Sequence, residues 1–253
     1  MKVVAVVCAR MGSTRFPGKV MLQLGGLPVL GHVVRTAFRT VGVQEVWVAT
    51  STAEADDAIE RWCKTITVPC WRGSEADVLK RITDCARQAG ADAVVRLTGD
   101  CPFLDSTVVA ETVALFRYGN LDYAQNVSPA TWPDGLDCEV VHINALMTAE
   151  REATRPSDRD AAIQYIERNR HRWRSDTLIC PIPGLHKERW VLDTAEDWAF
   201  CQAVVGGLGR MPQSYLEMLH VLNVLPRLRT LNNMWKRNER FLAHIAEENN
   251  VGV

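Results

Sequence analysis

Residues 3–19 read VVAVVCARMGSTRFPGK, and this stretch decides the fold. Its first part, Val3 to Ala9, is a continuous apolar run rich in valine, a pattern typical of a strand buried on both faces of a parallel sheet. A loop that contains glycine, proline and basic residues follows at once. Ligands of open α/β sheets bind at the carboxyl ends of the strands, where this loop lies. The stretch therefore predicts an α/β fold and also the place of a binding site.

Strand and helix patterns alternate from there to about residue 120. Short apolar runs predict strands, and apolar residues at helical spacing predict the helices between them. This alternation indicates βαβ units and a parallel sheet. For the whole chain we predict a mixed, mostly parallel sheet flanked by helices, as in a Rossmann-like α/β fold. The elements predicted in this half are strands at 3–9, 45–50 and 93–97 and helices at 28–39, 55–63, 74–89 and 106–118.

The pattern changes beyond residue 120, and no repeat or linker divides the chain there. We predict a single domain over residues 1–253, with a substrate-facing lobe at about 120–190 and a helical tail at about 206–253. The elements predicted in this half are an irregular segment at 123–132, strands at 138–143 and 190–192, and helices at 145–155, 160–168 and 232–248.

Composition and charge exclude several functional classes. The chain has 29 Lys and Arg against 30 Asp and Glu, and a formal net charge of −1 argues against general nucleic-acid binding. No apolar run approaches the roughly 18 residues of a membrane span, and Val3–Ala9 is too short for a signal peptide. The eight cysteines include no C-x-x-C pair. This predicts reduced, mostly buried thiols in a cytoplasmic protein.

The loop after the first strand has the chemistry of a polyphosphate cradle. Glycines allow close backbone approach, and cations and hydroxyls neutralise and bind phosphate oxygens. It is not a Walker A loop, because five residues separate its glycines and Val20 stands where Ser or Thr is required. The alternative is a solvated basic turn. The residues that supply this chemistry are Arg10, Gly12, Ser13, Thr14, Arg15, Gly18 and Lys19.

The segment 9–19, ARMGSTRFPGK, resembles the signature loop of cytidylyltransferases that make CMP-activated sugars. Its form is similar to the spore-coat polysaccharide biosynthesis F-type subfamily, whose relatives include 3-deoxy-manno-octulosonate and acylneuraminate cytidylyltransferases. Further matches follow in order to about residue 205. They are 48–51 (VATS), 72–79 (RGSEADVL), 95–102 (VRLTGDCP), 134–139 (DGLDCE) and 189–197 (RWVLDTAED).

This resemblance implies a nucleotidyltransferase fold of the glycosyltransferase-A-like type. It also implies an activity, the transfer of CMP from CTP to a small anionic acceptor with release of pyrophosphate. The acceptor is a sugar acid, a sugar phosphate or a phosphonate, and a homodimer is an open expectation. Neither nucleic acid nor a membrane is an expected partner.

The resemblance also assigns roles to residues. Arg10 and Lys19 would clamp the triphosphate as catalytic residues, and Asp100 and Asp193 would hold Mg²⁺, a hard cation that suits carboxylates and phosphate oxygens. The expected nucleotide-binding residues are Ala9, Met11, Gly12, Ser13, Arg15, Arg72 and Ser74. The expected acceptor-binding residues are Asp134, Asp137 and Glu139, for which a surface acidic turn is the alternative. Asp197 is interpreted as a helix cap, whereas Asp77 is as consistent with a helix cap as with a ligand contact.

Two other functions stay open. One is a metal-dependent glycosyltransferase, although Asp100 is followed by Cys101 and Pro102 rather than by a D-x-D motif. The other is a non-catalytic module that binds CTP. The chain also departs from the subfamily, because the segment 159–163 reads RDAAI where Arg-Glu-His-Val-Thr is usual. Asp160 keeps the acid, but the His and Thr are lost near the expected acceptor site.

Overall fold

The computed structural model describes residues 1–237, whose strands form two sheets. The strands are β1 (Val3–Cys8), β2 (Gln23–Leu24), β3 (Leu27–Pro28), β4 (Glu45–Ser51), β5 (Cys70–Gly73), β6 (Ala93–Thr98), β7 (Tyr123–Gln125), β8 (Glu139–His142) and β9 (Ser175–Thr177). The helices are α1 (Val29–Arg39), α2 (Asp57–Thr65), α3 (Val78–Gln88), α4 (Ser106–Tyr118), α5 (Ile143–Glu152), α6 (Pro156–Asp160), α7 (Gln164–Arg168), α8 (Ala195–Leu208) and α9 (Tyr215–Val224).

The main sheet has seven strands in the order β5-β4-β1-β6-β8-β7-β9. The first four of these pair in parallel, β8 runs antiparallel to both β6 and β7, and β9 is parallel to β7. β1 lies inside the sheet, and Val3 to Val7 have no exposed surface. The predicted mixed, mostly parallel sheet flanked by helices is confirmed.

Alternation along β1 divides the core between the two faces of the sheet. Ala5 and Val7 pack in a cluster with α1 and α4, whereas Val4 and Val6 pack in a cluster with α3 and α5. A third cluster lies around α8 and α9 and contains the fully buried Trp190. Six of the eight cysteines are buried in these clusters, and all eight are free thiols.

Predicted helix bounds before the tail hold to within about three residues, except at α3 and at the helix predicted for 160–168. α3 begins at Val78 rather than at Ser74, because the side chain of Asp77 accepts a backbone N–H of the first turn and caps the helix. The helix predicted at 160–168 is instead two short helices, α6 and α7. Ala162 between them has a φ of 57°, which interrupts the helical backbone.

Two segments of the second half also correct the prediction. Tyr123–Gln125, predicted to be irregular, is the strand β7 between β8 and β9. Residues 190–192, predicted to be a strand, are buried but lie outside the sheets of the described chain. Arg189 beside them makes only an isolated bridge to Asp134.

The tail is helical only in part. After α8 and α9, a 3₁₀ helix spans Pro226–Leu231. Residues 232–237, where the helix predicted at 232–248 would begin, form turns, and the rest of that segment lies outside the described residues. Within residues 1–237, no helix is long and apolar enough to cross a membrane.

Candidate active site

A cleft lies at the carboxyl ends of β1 and β6, beside the start of α3. It brings together residues that are far apart in the chain, since Asp100 and Asp193 are 81 and 174 residues from Lys19. The predicted site residues that line it are Ala9, Arg10, Ser13, Arg15, Lys19, Asp100 and Asp193.

Lys19 connects the two predicted metal ligands. Its Nζ donates to Oδ2 of Asp100 at 2.6 Å and also to Oδ1 of Asp193, and the side chain is only 8% exposed. Gly18, at a φ of 74°, turns the backbone into the short 3₁₀ helix Lys19–Met21, a conformation that glycine adopts without strain. Two carboxylates from distant segments therefore share one ammonium group.

The charges in this group stabilise one another. Burial lowers the pKa of Lys19, but Asp100 and Asp193 outweigh this effect and hold the pKa above its usual value. Burial likewise raises the pKa of Asp100, but the Lys19 ammonium outweighs it, so that the pKa is lowered overall. Lys19 and Asp100 are consequently both charged at neutral pH.

Two arginines extend the positive charge along the loop. Arg15 donates to Oδ2 of Asp193 at 2.5 Å. Arg10 lies 3.8 Å from a carboxylate oxygen of Glu75, which is longer than a hydrogen bond. Glu75 therefore does not satisfy the guanidinium of Arg10. Three cations on one short loop give this end of the cleft the charge that a triphosphate requires.

Asp56 holds the backbone of this loop at Met11. No sequence pattern above predicts this residue. The side chain is buried, and its Oδ1 accepts from the backbone N–H of Met11 at 2.6 Å. Its Oδ2 accepts from the backbone and hydroxyl of Ser51, at the end of β4. The carbonyl of Met11 accepts from Gly18 in turn, at 2.9 Å. The signal available in the sequence was an acid shortly after a buried strand.

Met11 and Gly12 belong to the same loop, but neither is among the residues that line the cleft in the described chain. Met11 packs against the core beneath the sheet. Gly12 faces Glu75, since a Cβ at this position would lie 3.2 Å from Oε1 of that residue. A role for either residue in nucleotide binding would therefore fall to its backbone.

The structure does not bring Arg72 to the cleft, although the sequence analysis predicts it for the base pocket. Its guanidinium lies against α2 and the segment after β4, where each of its three nitrogens donates to at least one acceptor. A charged side chain with this many partners has a structural role in joining β5 to α2. The acceptors are the carbonyls of Ser51 (3.0 Å) and Ala53 (2.9 Å) and the carboxylates of Asp57 (2.5 Å) and Glu60 (2.9 Å).

Ser74 reaches the cleft only indirectly. Its hydroxyl accepts from the backbone N–H of Asp77 at 3.0 Å and so orders the turn before α3. Its carbonyl accepts from Nη1 of Arg81 at 2.6 Å, and Arg81 does line the cleft. The cation on this side of the cleft is therefore Arg81 rather than Arg72.

The acidic segment 134–139 is a set of ion pairs rather than a surface turn. Asp134 and Glu139 are buried, and none of the three acids lines the cleft in the described residues. The segment meets the cleft through Arg96, which does line it. The pairs are Asp134 with Arg189 (2.8 Å), Asp137 with Arg237, and Glu139 with Arg96 (2.9 Å).

The residues at the centre of the cleft fit a divalent cation that is shared with a substrate. Asp100 and Asp193 provide hard oxygen donors, and both already face one positive group, the ammonium of Lys19. In the described chain, no group of three or more His, Cys, Asp or Glu is placed to hold a metal ion alone. Two carboxylates, completed by oxygens from phosphate and water, suit a hard divalent cation.

A family model described as cytidylyltransferase matches residues 4–194 of this chain. The chain belongs to the cytidylyltransferase family. We call Lys19, Asp100 and Asp193 the Lys19 group. The match includes all three residues and also the loop after β1. The resemblance drawn from the sequence motifs is confirmed, and the chain is a nucleotidyltransferase of the cytidylyltransferase class.

Individual cytidylyltransferase relatives agree with this assignment. The chain is 33% identical over 229 residues to the spore coat polysaccharide biosynthesis protein SpsF of Bacillus subtilis, covering 87% of this chain and 94% of the relative. It is 29% identical over 228 residues to the 3-deoxy-manno-octulosonate cytidylyltransferase of Methylococcus capsulatus, covering 87% and 83%. A solved cytidylyltransferase structure from Leptospira borgpetersenii matches with a TM-score of 0.84 and 30% identity, covering 90% of this chain and 97% of that one.

Membership of the cytidylyltransferase family decides against the glycosyltransferase alternative. The helix cap predicted at Asp197 is confirmed, since Asp197 forms a capping box with Thr194 at the start of α8. Of the two roles left open for Asp77, the structure favours the cap, because its side chain caps α3. Two cleft cations, Arg81 and Arg96, were missed. Arg96 could have been found, because alternation along a strand places it on the same face of β6 as Thr98.

Proposed function

We propose that this cytidylyltransferase transfers CMP from CTP to a small anionic acceptor, with Mg²⁺ as its cofactor. The observation that carries the proposal is the Lys19 group, in which one ammonium joins Asp100 and Asp193 beside a loop with two more cations. A sugar acid is the first acceptor to test, because a relative is named as a 3-deoxy-manno-octulosonate cytidylyltransferase. Sugar phosphates and phosphonates are also small anions and come next.

The reaction needs alignment and charge neutralisation more than covalent catalysis. An acceptor oxygen attacks the α-phosphorus of CTP, the bond to the bridging β-oxygen breaks, and pyrophosphate leaves with the electron pair. A hydroxyl acceptor releases its proton to solvent. Arg10 and Arg15 bind the phosphate oxygens, and Lys19 neutralises charge that develops near the α-phosphate.

Mg²⁺ would be held by Asp100 and Asp193 and would polarise the phosphate oxygens. This gives Lys19 a second duty, because its ammonium occupies the space between the two carboxylates. With a divalent cation held by the two carboxylates, the Lys19 ammonium would be available to contact the triphosphate. Before the substrate binds, the Lys19 ammonium keeps the two acids close together.

The acceptor would enter from the lobe at about 120–190 of this single domain. Asp160, at the end of α6, lines the cleft from that lobe and is exposed. Its carboxylate could accept hydrogen bonds from acceptor hydroxyls. In this proposal Glu139 acts through Arg96, while Asp134 and Asp137 support the lobe through their arginine partners.

Pyrophosphate release on mixing the protein with CTP, Mg²⁺ and a panel of sugar acids, sugar phosphates and phosphonates tests the proposal. Release that needs both CTP and one acceptor is the expected result, and excess chelator should abolish it. A non-catalytic module would bind CTP and release none with any member of the panel. Full turnover without a divalent cation would remove the metal role of Asp100 and Asp193.

A homodimer and a cytoplasmic location remain proposals from the sequence. Light scattering coupled to size-exclusion chromatography would give the mass of the particle in solution. A monomer mass across the concentrations tested would contradict the dimer. Immunodetection in fractionated cells would test the location.

A further inference from the structure

The segment that carries Asp193 is held by a part of the chain beyond the family match. That match ends at residue 194. We call residues 188–197 the Asp193 turn and residues 226–237 the tail segment. Four side chains of the tail segment contact the Asp193 turn or the acidic segment 134–139 beside it.

Asp197 fixes the backbone of the Asp193 turn. This carboxylate is fully buried, and its Oδ2 accepts from the backbone N–H groups of Asp193 at 2.9 Å and Thr194 at 3.1 Å. The guanidinium of Arg189 binds both of its oxygens, at 2.9 Å and 2.7 Å. The position of Asp193 therefore depends on the orientation of the Asp197 carboxylate.

Asn232, in the tail segment, completes this arrangement. Its Nδ2 donates to Oδ1 of Asp197 at 2.9 Å and to the carbonyl of Arg189 at 3.1 Å. Only 3% of the residue is exposed, so water does not replace these bonds easily. One amide thus ties together a residue before Asp193 and a residue after it.

Other contacts fix the position of the tail segment against the rest of the protein. Arg229 donates to Glu188 at 2.6 Å and Trp235 donates to Glu196 at 3.2 Å, so both ends of the Asp193 turn are held. Leu228 is buried in the third hydrophobic cluster. Arg237 donates to the carbonyl of Trp132 at 2.8 Å. These contacts bring Asn232 to its place beside Asp197.

We propose that the tail segment is a positioning element of the catalytic centre, and that Asn232 is a positioning residue for Asp193. The inference rests on the proposed function, in which Asp193 binds the divalent cation. Without the Asn232 amide, Oδ1 of Asp197 loses one of its two donors and the carbonyl of Arg189 loses its side-chain partner. The Asp193 turn can then shift toward Arg15 and Lys19, and the cation site loses its geometry.

The test compares CTP affinity with Mg²⁺ and with chelator, measured by calorimetry on the full chain without acceptor. Loss of a group that orients a metal ligand typically weakens metal binding 10-fold or more. For Asn232→Ala we expect unchanged affinity for metal-free CTP and a loss of roughly 10-fold in the gain that Mg²⁺ provides. Asn233→Ala is the matched control, because Asn233 is the next residue of the same tail segment and is exposed.

Asp193→Asn separates the two proposals. If this variant loses the Mg²⁺ gain while Asn232→Ala keeps it, the inference fails and the proposed function stands. If Asp193→Asn keeps the gain, the proposed function fails and the inference fails with it. Circular dichroism verifies folding of each variant. Should Asn232→Ala not fold, Trp235→Phe replaces it, since this change keeps an aromatic ring but removes the N–H that donates to Glu196. A full Mg²⁺ gain in that variant would overturn the inference.

Discussion

At the scale of single residues, Lys19 explains how the two carboxylates of the proposed metal site can lie close together. Two nearby carboxylates repel each other, and this repulsion would raise the pKa of one of them. The shared ammonium removes that cost, and the pKa of Asp100 is lowered instead. The same side chain then lies within the cleft where a triphosphate would bind. One lysine can thus hold the two carboxylates together and also act in the reaction.

Lys19→Ala should reduce turnover about 100- to 1,000-fold, because it removes an electrostatic contact made in the transition state. It should also make Mg²⁺ raise the melting temperature more than in the unmodified protein, since Asp100 and Asp193 lose the cation between them. Pyrophosphate release and thermal unfolding with and without Mg²⁺ measure the two effects. Lys64→Ala is the control, because Lys64 is an exposed lysine paired with Glu60 on α2. Turnover near that of the control would contradict the assignment of Lys19.

Sequence motifs could predict the Lys19 group but not every neighbour. Lys19 and Asp100 each follow a buried strand, and both fell in the predicted cleft. Arg72 is also positively charged, as Lys19 is, but its guanidinium already donates to four acceptors within the protein. Residue spacing does not reveal these contacts. Asp56 was missed for the opposite reason, because its contact with Met11 joins residues 45 positions apart. Local patterns identify which residue types are present, while tertiary contacts decide which of them remain available to a ligand.

At the scale of elements, long buried strands were predictable, whereas β8 was the one short strand that the sequence pattern predicted in the main sheet of the described chain. β1, β4 and β6 have six or seven residues each, most of them apolar and buried. β7 has three residues, and its place in the sheet comes from pairing with β8 and β9, which lie later in the chain. Strand pairing of this kind is set by tertiary contacts, which override local propensity.

The junction between β1 and β6 gives a prediction on stability. A Cβ at Gly99 would lie 2.9 Å from Cβ of Ala9 and 3.1 Å from the carbonyl oxygen of Cys8. Gly99→Ala should therefore lower the free energy of unfolding by about 1–3 kcal/mol through overpacking, and it should lower turnover by moving Asp100. Gly206→Ala in α8 meets no atom within 4 Å. It should raise stability by roughly 0.5–1 kcal/mol. Urea denaturation measures both free energies of unfolding. If Gly99→Ala were as stable as Gly206→Ala, the close approach of Gly99 to Ala9 and Cys8 would be contradicted.

α1 gives a second prediction, on pH. Nε2 of the buried His32 donates to the carbonyl of Leu24 at 2.6 Å, and Nδ1 accepts from Arg35 at 3.1 Å, so the ring is neutral. Burial, and then the charge of Arg35, lowers the pKa of His32 below 6.5. The unfolded chain therefore takes up a proton as pH falls below about 6.5 while the folded chain does not, and stability decreases.

His32→Gln keeps an amide donor for the carbonyl of Leu24 and removes the titration. The difference in free energy of unfolding between the unmodified protein and this variant should shrink or change sign as pH falls below about 6.5. Chemical denaturation at a series of pH values measures this difference. A difference that stays constant across the series would show that His32 has an ordinary pKa in the folded state.

At the scale of the whole molecule, the cleft joins segments from the two halves of the chain. The loop after β1, the end of β6 and the Asp193 turn meet there, although 174 residues separate Lys19 from Asp193. A ligand that bridges these segments binds only the folded chain. It stabilises that chain by about 2.7 kcal/mol when its free concentration is 100 times its dissociation constant. Nucleotide selectivity should consequently appear as thermal stability.

CTP with Mg²⁺ should raise the melting temperature more than UTP, ATP or GTP does at the same concentration. We expect the main chain near Ala9 to pair with the cytosine edge, and a site built to satisfy such hydrogen bonds rejects a base that leaves them unpaired. UTP is the strict comparison, because its ring has the same size but exchanges donor for acceptor along the pairing edge. The Lys19→Ala protein should respond weakly to all four nucleotides, since they share the triphosphate. Equal shifts with CTP and UTP would indicate a general pyrimidine nucleotidyltransferase, and a larger shift with ATP or GTP would contradict selectivity for cytosine.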